Sequence, residues 1–210
     1  MKEISVDYAE YAGKNFLIMV DRFSSCAFCE ETKDKTIAST IKVMKIWFEH
    51  FGYPDRVRAD NGPAFRAGFT KWLKGNKIIR EMSSAYNSQS NGLAERAVKR
   101  CKEVIKKNMD EGKDWRTGLE EMRSVTSSVL DGASPAEVFH GGRKLRSAIQ
   151  PNFLPREQKD MDRISAFRSI IHERQAARMK SRDLESKPLQ PGQLVCMQMQ
   201  EKPHTWSEIG

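Results

Sequence analysis

Asn15-Phe16-Leu17-Ile18-Met19-Val20 places five apolar side chains in an unbroken row. A strand with one wet face alternates polar and apolar positions, so this run suits a strand buried on both faces, in the middle of a sheet with helices on either side. Ile4–Ala9 and Ser25–Glu30 read as strands before and after it. Short polar turns containing Gly13 and Asp21-Arg22 join the three, which predicts an antiparallel meander.

Beyond the meander the period changes. Ile37, Ile41, Met44 and Phe48 recur at helical spacing within Thr36–Phe51, and Gly52-Tyr53-Pro54 is a stop signal. Arg56–Ala59 reads as a fourth strand that delivers Asp60 at its C-terminal end, where open α/β sheets bind ligands. Phe65–Leu73 is expected to be a short helix and Lys77–Met82 a fifth strand. The prediction is an α/β fold with a five-stranded mixed sheet flanked by helices. Ser83–Asn91 is small and polar and reads as a loop, with Gly92 opening a long helix that carries Glu95.

On that helix, Lys99, Lys102 and Lys106 lie within roughly 40° of Glu95 at about 100° per residue. Ala94, Ala97, Val98, Cys101 and Ile105 form a separate apolar stripe to one side. One face thus packs on the sheet while its flank presents a carboxylate followed by a row of ammonium groups, which suits a phosphate backbone. A solvated basic face is the plain alternative for such a row.

Asp7, Asp60 and Glu95 each sit where a strand, a strand end and a helix bring acids together, the layout of a two-metal phosphoryl-transfer site. Mg²⁺ is a hard cation that takes carboxylate oxygens and still leaves room for phosphate oxygens. The strings R-A-D-N-G-P-A-F at 58–65, around Asp60, S-S-A-Y-N-S-Q-S-N-G-L-A-E at 83–95, ending on Glu95, and S-P-A-E-V-F-H-G-G-R at 134–143 resemble the integrases of gypsy-type long-terminal-repeat retroelements and retroviruses. With 34 residues between Asp60 and Glu95, the spacing is one short of the family's usual 35.

The resemblance covers most of residues 3–146 and implies a ribonuclease-H-like fold. It also implies an Mg²⁺- or Mn²⁺-dependent polynucleotidyl transferase with Asp7, Asp60 and Glu95 as catalytic metal ligands. Asn61 and Gly62 would shape the metal site, and Tyr86, Gln89 and Asn91 would meet the substrate strand by stacking and hydrogen bonding. Lys99 and Lys102 match lysines that hold DNA in the family, and Lys106 continues their row. DNA, as element ends and target, is the implied partner, with a homo-oligomer to join two ends and the nucleus as the place of action.

Composition agrees with a polyanionic partner. Net charge is +8 and the isoelectric point about 9.3, which points to nucleic acid or an acidic membrane surface. There is no run of 18 apolar residues, so no membrane span is expected. Four cysteines are too few for a disulfide framework. Cys26-Ala27-Phe28-Cys29 has C-x-x-C spacing but lacks a second ligand pair, and it is read as part of a strand. Asp21, in V-D-R-F-S, competes with Asp7 for the first acidic position, but at the far end of its strand it is expected to be a solvated turn acid. His50, His140, His172 and His204 are isolated.

Further helices are expected at 115–127 and after Ser134-Pro135, where serine caps and proline suits the first turn. Residues 147–188 read as a charged helical linker, with Ile164, Phe167, Ile171 and Met179 as a thin apolar seam. Leu189–Val195 resembles the opening strand of the small barrel that follows integrase cores, making 189–210 the start of a truncated β domain after a core at 1–146. The family's zinc-binding His-His-Cys-Cys domain is not in this sequence, and Ala85 and Ser88 replace customary prolines. A catalytically inactive, domesticated nucleic-acid-binding or assembly module is the alternative function, and a nuclease acting on RNA in hybrids a third.

Overall fold

The computed structural model describes residues 1–82, 92–142, 162–166, 169–170, 173, 195–198 and 206–209. Residues 1–172 form one compact unit and residues 173–210 another. In the first, strands β1 (Glu3–Tyr11), β2 (Lys14–Asp21) and β3 (Ala27–Thr32) form the expected meander. Ala12 and Gly13 make the two-residue β1–β2 turn, both at positive φ, +49° and +73°. Such a turn matches the right-handed twist of the strands it joins. Helix α1 (Ile37–Phe51) starts where the Thr36 hydroxyl accepts the Ser39 N–H at 3.2 Å and ends at Gly52.

Strand β4 (Arg56–Ala59) runs parallel to β1, and β5 (Ile79–Met82) parallel to β4, giving the order β3-β2-β1-β4-β5. The fold is therefore a five-stranded mixed sheet. Between β4 and β5 lie a 3₁₀ turn at Pro63–Phe65 and helix α2 (Ala67–Gly75). Phe65 thus belongs to the turn and not to the helix. Helices α3 (Gly92–Asp110), α4 (Trp115–Ser124) and α5 (Pro135–Phe139) complete the unit. A reciprocal pair of bonds between Ser134 and Glu137 starts α5.

The apolar run of β2 is buried on both faces. Leu17 and Met19 join Ile4 and Val6 against Met44, Trp47 and Phe48 of α1 and Phe69 and Leu73 of α2. Phe16, Ile18 and Val20 face Val98, Cys101 and Ile105 of α3 and Trp115, Leu119 and Met122 of α4. Of the stripe expected on α3, Val98, Cys101 and Ile105 are buried and Ala97 partly so, while the Ala94 side chain lies outside the described residues. The Gly118 position explains how α4 closes on α3: a Cβ there would lie 2.2 Å from Asn108 Nδ2. Ile164 is fully buried with Leu130, Ala133 and Val138, while Arg163 pairs with Asp131 at 2.6 Å. Phe167, Ile171 and Met179 lie outside the described residues.

Two sequence expectations need correction. Asp21 is not solvated but only 4% exposed, accepting bonds from the Ser24 amide at 2.8 Å and the Ser24 hydroxyl at 2.6 Å. It builds the β2–β3 turn. The third strand starts two residues late because Ser25 sits at φ +61°, which leaves Cys26 before the strand and Cys29 within it. Both are free thiols, and burial pushes Cys26 up to about 12. In the second unit, β6 (Val195–Gln198) pairs antiparallel with β7 (Trp206–Ile209), a strand that sequence reasoning missed.

Candidate active site

β1 is the central strand, and along it Ile4 and Val6 point into the α1 side while Asp7 belongs to the opposite alternation. The parallel ladder of β1 and β4 pairs Ile4 with Val57 and Ser5 with Arg58. Two residues further along each strand stand Asp7 and Asp60. Asp60 directly follows the C-terminal end of β4, whereas Asp7 stands midway along β1, two residues past the last β1–β4 pair.

Asp60 starts a tight turn. Its Oδ1 accepts the Gly62 N–H at 2.8 Å, and a Cβ at position 62 would meet that oxygen at 2.9 Å. Any side chain here would push the Asp60 carboxylate aside, while φ at −56° suits every residue. Arg80 on β5 secures the turn from the side, donating from Nη2 to the Asp60 carbonyl at 2.9 Å and to Asn61 Oδ1 at 3.3 Å, and from Nη1 to Thr70 Oγ1. Sequence reasoning missed Arg80. Nothing in I-I-R-E-M distinguishes it from any strand arginine until the β4–β5 register sets it beside Val57.

Asp7 is 37% exposed and already holds a cation: Lys102 Nζ on α3 stands 2.7 Å from its Oδ2. Its Oδ1 accepts the Tyr8 N–H at 2.7 Å. The other two lysines of the row behave differently. Lys99 is 78% exposed and makes a long 3.9 Å contact with Glu103, and Lys106 lies over the Tyr11 ring at 5.8 Å. The row is thus graded, from a lysine engaged with the acid to one held mainly by solvent.

Position 95 lies on α3, two turns before Lys102 and within about 20° of it around the helix. Its side chain, and Tyr86, Gln89 and Asn91 altogether, lie outside what the structure describes. Among the described residues, no three His, Cys, Asp or Glu side chains converge on one point. Asp7 and Asp60 offer only carboxylate oxygens, a donor set that suits Mg²⁺ or Mn²⁺ over softer metals. No described helix is long and apolar enough to cross a membrane.

The sheet order and the flanking helices define a ribonuclease-H-like fold. The catalytic core of BIV integrase shares it with a TM-score of 0.55 at 17% identity, over 66% of this chain and 93% of that one. A chain of the simian T-cell lymphotropic virus intasome, solved in complex with the PP2A regulatory subunit B56γ, gives 0.55 at 21% identity, over 74% of this chain and 59% of that one. Residues 3–88 match the integrase core domain family. The Pol polyprotein of feline endogenous virus ECE1 is 31% identical over 163 residues, 75% of this chain and 15% of its own length. The Gag-Pol polyprotein of avian reticuloendotheliosis virus is 29% identical over 215 residues, 94% of this chain and 18% of its own length. The chain carries an integrase core of the retrovirus and retrotransposon type. It spans less than a fifth of the length of these polyproteins.

Proposed function

We propose that the chain performs metal-dependent polynucleotidyl transfer, processing a DNA 3′ end and joining it to target DNA. The observation that supports this reading is the β1–β4 register, which puts Asp7 of β1 and Asp60, just past β4, each two residues beyond the Ser5–Arg58 pair. Asp7, Asp60 and Glu95 would hold Mg²⁺ or Mn²⁺, which supplies an activated oxygen nucleophile and charge neutralisation at the phosphorus.

The rest of the work falls to the chain's own residues. Gly62 and Arg80 hold Asp60 in one orientation. Lys99, Lys102 and Lys106 bind the phosphate backbone, and Asn61, Tyr86, Gln89 and Asn91 position the strand to be cut. DNA ends and target DNA are the partners, a homo-oligomer joins two ends, and the nucleus is the place of action. Residues 1–146 would be the catalytic core, 147–188 a charged linker, and 189–210 part of a small β domain.

The test is joining of a labelled DNA end to a plasmid in Mn²⁺ or Mg²⁺, with the Glu95→Gln chain beside the unaltered one. Product from the unaltered chain and loss of at least about a hundredfold in the variant are expected. Equal product from both removes Glu95 from the site. Binding without product from either chain would favour the inactive binding module.

A further inference from the structure

We propose that Lys102 is the counter-ion of Asp7 in the metal-free protein and exchanges that contact for a DNA phosphate when a divalent cation takes its place, so that metal and DNA binding reinforce each other. The inference rests on Asp7 being a metal ligand, as proposed above.

Three observations carry it. Lys102 Nζ lies 2.7 Å from Asp7 Oδ2, while Oδ1 is already engaged by the Tyr8 amide, so Oδ2 is the oxygen for which two cations compete. An ammonium and a divalent cation on one oxygen repel, and a metal at about 2.1 Å from it leaves no room for the present pair. Second, the helix on either side of Lys102 is fixed: Cys101 is fully buried and Ile105 nearly so. The exchange is therefore a side-chain swing on a stationary backbone, within reach of a flexible four-carbon stem. Third, Lys102 is itself 38% exposed, so its ammonium has an open side to move into. Lys99 and Lys106 make no ion pair with Asp7, which confines the exchange to one member of the row.

The consequence is reciprocal coupling. In metal-free protein, Asp7 holds back one of the cations available to DNA. Whatever displaces Lys102 from Asp7 improves DNA binding, and DNA that captures Lys102 opens Asp7 to the metal by the same factor. For a half-exposed pair the factor is about two to five.

Two measurements on the full chain test it. In the first, Mn²⁺ binding without DNA is followed by the electron paramagnetic resonance of free Mn²⁺, for the unaltered chain, Lys102→Met, Lys102→Gln and Lys99→Met. Both Lys102 variants are expected to bind about two- to fivefold tighter, and Lys99→Met, which loses the same charge from the same helix, to change less. Equal effects at positions 99 and 102 overturn the inference.

In the second, DNA affinity is read by fluorescence anisotropy in EDTA. Asp7→Asn and Asp60→Asn each remove one negative charge, but only the first frees Lys102. It should bind more tightly than Asp60→Asn, and the advantage should vanish when Lys102→Met is added to both. Equal affinities overturn the inference. Saturable Mn²⁺ binding with no Lys102 effect sinks the exchange alone. Absence of saturable binding in every chain, or binding indifferent to Asp60→Asn, sinks the metal site and the exchange together.

Discussion

Asp60 shows how much of the candidate site depends on contacts a few ångströms long. Its carboxylate is oriented by the Gly62 amide and its carbonyl by Arg80, and space for the carboxylate exists because residue 62 has no Cβ. At φ −56° alanine meets no backbone strain, so Gly62→Ala should fold normally and lose only the orientation of Asp60. We expect Mn²⁺ affinity, measured by calorimetric titration, to fall about tenfold or more, with a melting temperature within a few degrees of the parent. An unchanged affinity would mean that Asp60 is not a ligand in this orientation. Asp60 and Glu95 stand out in the sequence because each sits inside a matching string, and their role as ligands is the proposal made above. Arg80 does not stand out, since its role exists only through strand register. Asp21 was misread for a related reason: its bonds to Ser24 are local, but burial of the turn is a tertiary fact.

At the scale of elements, α3 is the part on which the site depends most. It carries Lys102 and position 95 on one flank, and the apolar stripe beside that flank packs against β2 and α4. That packing requires Gly118, where an added Cβ would collide with Asn108 Nδ2 at 2.2 Å and Val104 Cγ1 at 2.9 Å. Gly118→Ala should destabilise the chain by about 1–3 kcal/mol, seen as a lower urea midpoint at unchanged slope. A neutral result would show that α4 can shift on α3 without cost. Element identities were readable from period alone: the β2 run, the α1 spacing and the α3 stripe all appear where expected. Boundaries were less so. The turn at Pro63–Phe65 precedes α2, and Ser25 at positive φ delays β3. Each depends on backbone angles that the side-chain pattern does not encode. The pairing of β6 with β7 was missed because Leu189–Val195 was matched to a family segment with no partner strand sought.

For the molecule as a whole, the net charge of +8 is the property that bears most on DNA. Binding should weaken steeply with salt as phosphate counter-ions are released, with a logarithmic slope of roughly −0.9 per neutralised phosphate. The combined Lys99→Met and Lys102→Met chain, assayed with Mn²⁺ present, should show a slope shallower by about two. An unaltered slope would place the DNA on another basic surface of the chain and leave the α3 row as a solvated face. The fold class followed from the sequence because a doubly buried strand inside a meander, followed by two parallel additions, admits few architectures.

The central claim is that Asp7, Asp60 and Glu95 share one metal site, and iron-directed backbone cleavage tests it without reference to activity. Fe²⁺ bound in place of Mg²⁺, with ascorbate and peroxide, generates oxidants that cut the chain beside its ligands, and mass spectrometry locates the cuts. The account predicts three clusters of cleavage, next to residues 7, 60 and 95, all suppressed together by excess Mn²⁺. Cuts at 7 and 60 without 95, or a pattern indifferent to Mn²⁺, would contradict it.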